Sequence, residues 1–457
     1  MLAPLGYWAT LAAVNGRRRQ GEPPLVRGSL PYVGVAVRFS RDATAYVQHC
    51  QASYGDVFTL FIAGQRMTFV LDPLAVPAVL RSKQLAFAPV SDSIISEAFK
   101  LDGLRLHMDL EAAEALGRTR LRGDALADLT HSMDARLEAL VPAAVSKSWE
   151  STSLYAKVWD VMFEAGTDAL FGSGLVTAQL RKDFETFDLQ FPQMAAGLPR
   201  ALVKDGEAAL DRLGHTRLLG EGPSAWIADR EPLLAVLADD EAGRARVPIL
   251  WAIHANTIPA TFWSLYYLLR HPEALKAIHR ELDELSPNRR RELDVDTLDE
   301  LRLLDSAISE ALRLSSGSLT IRQALEPMTL ETPTGAHSLR RGDRICLAPF
   351  ITHRDPDIFE SPLEYQFDRF HSPSGRKQFY KHGERVPLPL MPFGAGVSMC
   401  PGRFFAMNEI KLFIARALSS WEIEAPTGPI PDFELSRAGL GIYPPAHDVQ
   451  VRVRRKV

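Results

Sequence analysis

Apolar residues recur along this chain in two rhythms. From about residue 74 to about 315 they return at helical spacing, as in 124-DALADLTHSMDARLEALVPAAV-145, which predicts a long series of amphipathic helices. The stretch 56-DVFTLFIAGQRMTFVLDP-73 instead holds two β-rich runs about Ala63-Gly64-Gln65, a hairpin signature. In 326-EPMTLETPTGAHSLRRGDRICLAP-349 short β-runs alternate with Pro-Thr-Gly and Arg-Gly-Asp turns, predicting a small antiparallel sheet. Residues 20–34 are rich in proline and glycine and predict an extended lead-in. A helix returns in 401-PGRFFAMNEIKLFIARALSSWEI-423, where Phe405, Ile410 and Phe413 keep helical spacing behind Pro401. β-like segments run through Val449–Val453. The pattern predicts a mainly α fold with a minor sheet.

Composition adjusts this picture in a few places. A length of 457 residues allows three average domains, but no linker, repeat or low-complexity run divides the chain. One domain over 20–457 is expected, preceded by a short apolar and basic segment at 1–19. Hydrophobic residues at 46% and charged residues at 24% are ordinary for a large core, and a net charge of −4 gives no reason to expect nucleic acid. Cys50, Cys346 and Cys400 lie far apart with no CxxC, which argues against a disulfide framework or a zinc site and for a reducing compartment.

Two apolar segments bear on membranes. The first, 1-MLAPLGYWATLAAVN-15, precedes Arg17, Arg18 and Arg19 and is shorter than the ~20 residues of a spanning helix. It reads as a degenerate or trimmed anchor, or as a helix lying on a surface. The second, 247-VPILWAIHANTIPATFWSLYYLL-269, is long enough to span, but His254, Asn256 and Pro259 at its centre predict a buried helix lining a polar cavity. The expectation is a cytoplasmic monomer with peripheral membrane contact, or an endoplasmic reticulum protein if the amino-terminus is a trimmed anchor.

The candidate chemistry centres on 391-MPFGAGVSMCPGRFFA-406. Phe393, Gly396, Cys400 and Gly402 form FxxGxxxCxG, and Gly394, Gly396 and Gly402 strip side chains from a loop that can lie under a flat ligand. Backbone N–H groups at the start of the following helix can point at an anionic sulfur, and such a thiolate is a competent iron ligand. The loop resembles the haem-binding loop of the cytochrome P-450 superfamily. That family also carries ExxR on an earlier helix, matched by Glu310 and Arg313, and a third partner, matched by Arg369 in 367-FDRF-370. The resemblance runs from about residue 20 to the end. It implies the P-450 fold, haem b (iron protoporphyrin IX) as cofactor, Cys400 as metal ligand with Phe393, Gly394 and Gly402 in its cradle, and Glu310, Arg313 and Arg369 as a structural network. It also implies that Arg322, nine residues after Arg313, binds a propionate. Ser398 stands where the family often has His or Arg on a propionate. The family's early-helix Trp/Arg pair is not recognisable near residues 105–125, where Arg118, Arg120 and Arg122 are the candidates and a solvated face is the plainer reading.

The distal helix departs further. The family's acid–alcohol pair would fall on 252-AIHAN-256, where Ala255 and Asn256 stand instead. This segment, with 310-EALRLSSGSLTIR-322 and 436-SRAGLGIYPP-445, resembles the branch containing sterol 7α- and 12α-hydroxylases and prostacyclin synthase, the cholesterol 7α-hydroxylase type above the others. Asn256 can donate and accept hydrogen bonds. It can hold a water chain, meet a bound oxygen directly, or steer an endoperoxide onto iron; a structural role in a bent helix is the alternative. Pro259 removes a helical hydrogen bond nearby, and Thr257 is expected to satisfy freed backbone groups. His254 is read as a packed histidine. Ala252, Ala255, Ala260, Ser318, Leu319 and Leu440 are the expected substrate walls, small or apolar as a sterol-like lipid requires. The stretch 190-QFPQMAAGLPRALV-203 is either a lipid-facing segment or a helix–helix loop. No flavin or nicotinamide fingerprint is present, so a monooxygenase needs a separate reductase or ferredoxin. The rivals are an isomerase of fatty-acid peroxides, which needs none, and a haem protein that carries or senses lipid.

Overall fold

The computed structural model describes residues 17–456 apart from Pro31, Gly103, Arg105, Leu106, His107 and Ser374; the apolar segment 1–15 therefore lies outside the described residues. The hairpin forms as the sequence predicts. Val57–Ile62 pairs antiparallel with Gln65–Val70, Ile62 opposite Gln65. Ala63 and Gly64 turn the chain with φ of 47° and 80°, the two positive values of a I′ turn that matches strand twist.

The 326–349 region departs from expectation. Met328–Thr332 and Gly335–Leu339 do make a two-stranded antiparallel sheet. Arg344–Leu347 leaves it and joins a larger mixed sheet, parallel to Gln65–Val70 and antiparallel to Thr320–Ala324. Ile345, Cys346 and Leu347 are all buried, and a continuous apolar run needs cover on both faces, which a surface hairpin cannot provide. Leu25–Val26 lies along the other edge of the six-stranded sheet. A separate three-stranded sheet places Gln450–Arg455 between Trp421–Ile423 and Glu150–Ser153.

Helices supply the main core. Gly123–Ala143, Leu154–Phe171, Thr257–Arg270, Arg302–Ser315 and Arg403–Ser420 meet in its centre. Every residue of Thr257–Arg270 except Arg270 is buried, which identifies the long apolar stretch as a core helix wrapped on all sides. Among the described residues no helix is long and apolar enough to cross a membrane. The apolar run is broken in two: one helix spans Asp239–His254 and the next begins at Thr257. That break and the Cys400 loop face the same cavity.

Candidate active site

The helix Arg302–Ser315 carries Glu310 and Arg313 one turn apart, both fully buried. Their pairing is bidentate: Arg313 Nε donates to Glu310 Oε2 at 2.7 Å and Nη2 to Oε1 at 2.8 Å. Arg369 Nε reaches the same Oε1 at 2.8 Å. Both arginines spend their remaining donors on backbone carbonyls of the 349–369 segment, Arg313 on His353 and Pro362, Arg369 on Glu360, Ser361 and Glu364. A buried acid with two cations is tolerable because every guanidinium nitrogen has an acceptor. His353 extends the chain of contacts, since its Nε2 accepts from Met391 N–H at 3.1 Å. The network thus ends at the first residue of the cysteine loop.

In that loop Gly394 and Gly396 have φ of 69° and 72°, which side chains tolerate poorly. The Cys400 N–H donates to the Phe393 carbonyl at 3.0 Å. Crowding by protein raises the thiol's pKa above its usual value, and N–H donation from Gly402 and Arg403 with the Arg403 charge offsets part of that rise in favour of the thiolate. Ser398 sits in the 3₁₀ turn Gly396–Ser398. Arg322 is buried at 4% exposure; it donates to the carbonyls of Ala395 at 3.1 Å and Ile321 at 2.8 Å and has no carboxylate partner among the described residues. Its burial disfavours the charged form. Arg118 and Arg120 instead pair at the surface with Glu114 and Asp229, and Arg122 lies over the Phe404 ring.

The distal break follows from Pro259. Without an N–H, residue 259 cannot serve the Ala255 carbonyl four positions back, and the helix opens there. Arg437 Nη2 takes that carbonyl at 3.3 Å. Thr257 does not; its hydroxyl hydrogen-bonds to the carboxyl of Glu409, a buried group whose pKa is driven well up by burial. Asn256 Oδ1 accepts from Ile442 N–H at 2.9 Å. Because an N–H must find an acceptor, this contact fixes which end of the amide is oxygen and leaves the NH2 end free to donate. His254 is buried between Phe163 and Phe184, hydrogen-bonded to Thr167, and neutral, its pKa pushed down to about 3 by burial.

Cys400 and Phe393 share one cavity with Ala252, Asn256, Thr257, Ala260, Ser318, Leu319 and Leu440. Ala255 is not part of its wall: it is buried, with its carbonyl turned to Arg437. The lining is largely apolar, not the polar cavity expected beside the 247–269 stretch. Sequence reasoning missed Glu409, Arg437 and Asp188. A proline in a helix announces an orphaned carbonyl, but nothing in the sequence says which distant donor fills it.

With the fold and these walls in view, comparison with known proteins is direct. The sequence profile described as Cytochrome P-450 matches residues 229–451. Rat (Rattus norvegicus) cytochrome P-450 7A1 is 36% identical, over 96% of this chain and 95% of that protein. The chain belongs to the cytochrome P-450 family and is by class a monooxygenase, an oxidoreductase whose family uses haem iron. Cytochrome P-450 7B1 of Mus musculus is 34% identical over 96% of this chain and 92% of its own length. The human (Homo sapiens) 7-alpha-hydroxycholest-4-en-3-one 12-alpha-hydroxylase is 33% identical over 99% and 97%.

Proposed function

We propose that Cys400 would hold the iron of a haem b through its thiolate, and that the protein hydroxylates a sterol-like lipid in the manner of a 7α-hydroxylase, with dioxygen and electrons from a separate reductase or ferredoxin. The observation that carries this reading is the placement of Cys400 and Asn256 on the walls of one largely apolar cavity. The residues suit the cofactor: Arg322 is a buried cation without an acid among the described residues, fit for a propionate, and the Gly402 and Arg403 N–H groups favour an anionic sulfur. When bound, thiolate-ligated haem activates dioxygen and favours O–O cleavage.

The chain's own residues do the rest. The NH2 end of Asn256 donates into the cavity or to an ordered water, and Thr257 links that wall to the neutral Glu409 carboxyl. Ala252, Ala260, Leu319 and Leu440 exclude water and receive flat hydrocarbon. Among the described residues no ionisable side chain other than Cys400 lines the cavity, which suits an uncharged substrate. Exposed Leu198 in the 196–199 loop and Leu202 in the helix that follows support a peripheral lipid contact there. The relatives' names supply the sterol.

The test is turnover by the haem-loaded protein of cholesterol and related sterols with reductase and NADPH, against fatty-acid hydroperoxides without either. Sterol product that depends on electron supply, oxidised at carbon 7, is expected. Conversion of hydroperoxides alone would overturn the reading in favour of an isomerase. Asn256→Ala should lower product formation by roughly a hundredfold, the scale of one positioned proton-handling group, with sterol affinity little changed.

A further inference from the structure

We propose that Arg437 is a positioning residue of the distal wall: it caps the carbonyl that Pro259 strands and so holds the Ala255–Asn256 turn, with Asp188 aiming it. The inference rests on the reading that Asn256 serves the reaction. Ala255 is buried at 4% exposure, and a buried carbonyl without a donor costs about 1–3 kcal/mol. Arg437 Nη2 is the donor it receives, at 3.3 Å.

The arginine is not free to choose this contact. Its side chain is buried, and Nη1 is fixed on Asp188 Oδ2 at 2.6 Å. The other oxygen of Asp188 accepts from Trp251 Nε1 at 2.8 Å. Asp188 belongs to the Ala178–Ala195 helix and Trp251 to Asp239–His254. A guanidinium is a rigid fork, so fixing one prong on Asp188 sets the direction of the other. Five residues further on, Ile442 N–H holds Asn256 Oδ1. The segment 437–442 therefore grips both residues of the turn, by a side-chain donor on one backbone carbonyl and a backbone donor on the next side chain. If the first grip is lost, the Ala255 carbonyl rotates to find water, and the Asn256 amide loses its fixed direction into the cavity.

Two readouts test this on the full-length, haem-loaded protein. The first is hydrogen exchange of the peptide covering 252–262. Arg437→Met is expected to speed it at least tenfold, Arg437→Lys less, with exchange in Arg403–Ser420 unchanged. The second is the fate of electrons from NADPH. Dioxygen that takes up two electrons and two protons without oxidising substrate leaves as hydrogen peroxide, and the peroxide share should rise several-fold in both variants. The charge-reversed pair Asp188→Arg with Arg437→Asp restores an ion pair but presents a carboxylate to the Ala255 carbonyl. It should restore neither readout; recovery of both would show a mere tie between helix and loop and overturn the proposal. Asn256→Ala separates the two readings. If it uncouples electron use while Arg437→Met alters neither exchange nor peroxide, the proposal fails and the reading of Asn256 stands. If Asn256→Ala leaves coupling intact while Arg437→Met still speeds exchange, the cap is upheld and the distal reading fails. Should Arg437→Met not load haem, Asp188→Asn carries the same test, because the unaimed fork should again raise exchange at 252–262.

Discussion

Gly441 shows how little freedom the distal wall has. A Cβ placed there would lie 2.0 Å from Asn256 Oδ1 and 3.0 Å from Nδ2, and the residue has φ of 130°. Gly317 stands likewise against the Tyr443 ring. Gly441→Ala must therefore push the asparagine amide out of its bond with Ile442 as well as strain its own backbone. The expected outcome is a loss of about 1–3 kcal/mol of stability, read from denaturant midpoints, together with a fall in product formation on the scale of Asn256→Ala. Retention of both would mean that the Asn256–Ile442 contact is not part of the working site. At this scale the sequence was informative wherever a residue type is chemically uncommon in its pattern. Cys400 among glycines and Asn256 in an apolar helix both stood out, and both line the cavity. Glu409 did not stand out, because 407-MNEIK-411 reads as ordinary helix surface although Asn408, Glu409 and Lys411 are all buried.

Between elements, the buried acid Glu310 ties the Arg302–Ser315 helix to the 349–369 segment, and His353 passes that tie on to Met391. Glu310→Gln keeps the shape and removes the charge, leaving Arg313 and Arg369 as two buried cations without an acid. Breaking such a group costs about 3–5 kcal/mol. The cysteine loop should lose its register with the helix, so the variant is expected to load haem poorly and to unfold at lower denaturant; full haem content at unchanged stability would sink this account. The order Glu310, Arg313, Arg369 was legible only through the resemblance to the P-450 family, since a spacing of three recurs by chance on helices. The Ala63-Gly64 hairpin was legible from its local pattern. The pairing of Arg344–Leu347 with Gln65–Val70 was not, since its partner lies far away in sequence and a short apolar run fits a small hairpin or a large sheet equally well. Arg437 belongs with it: the link to Ala255 spans 182 positions and has no local signature.

Across the whole molecule, buried titratable groups set opposing pH trends. His254 and His353 are both held neutral with pKa values pushed down to about 3, His254 by burial alone and His353 by burial with help from Arg313 and Arg354. Their unfolded pKa is about 6.5, so below that value the unfolded chain binds more protons and stability falls as pH drops toward 3. At pH 5 each histidine costs about 2 kcal/mol on this account. Glu409 acts the other way. Burial raises its folded pKa well above the usual carboxylate value, so its contribution is fully favourable below the unfolded pKa and is lost as pH rises through the folded one. The wild-type slope between pH 7.5 and 5 is the difference of these trends, and single variants should pull it apart. His254→Gln keeps a hydrogen-bonding partner for Thr167 and removes one histidine, so it should lose about 2 kcal/mol less than wild type on acidification over this range. Glu409→Gln removes the compensating acid and should lose more than wild type, with its relative gain greatest at the alkaline end. Denaturant midpoints of the three proteins at both pH values decide the matter. Parallel pH dependence in all three would show that His254 and Glu409 titrate alike in the folded and unfolded chain, and would remove the buried neutral carboxyl behind Thr257 from the distal wall.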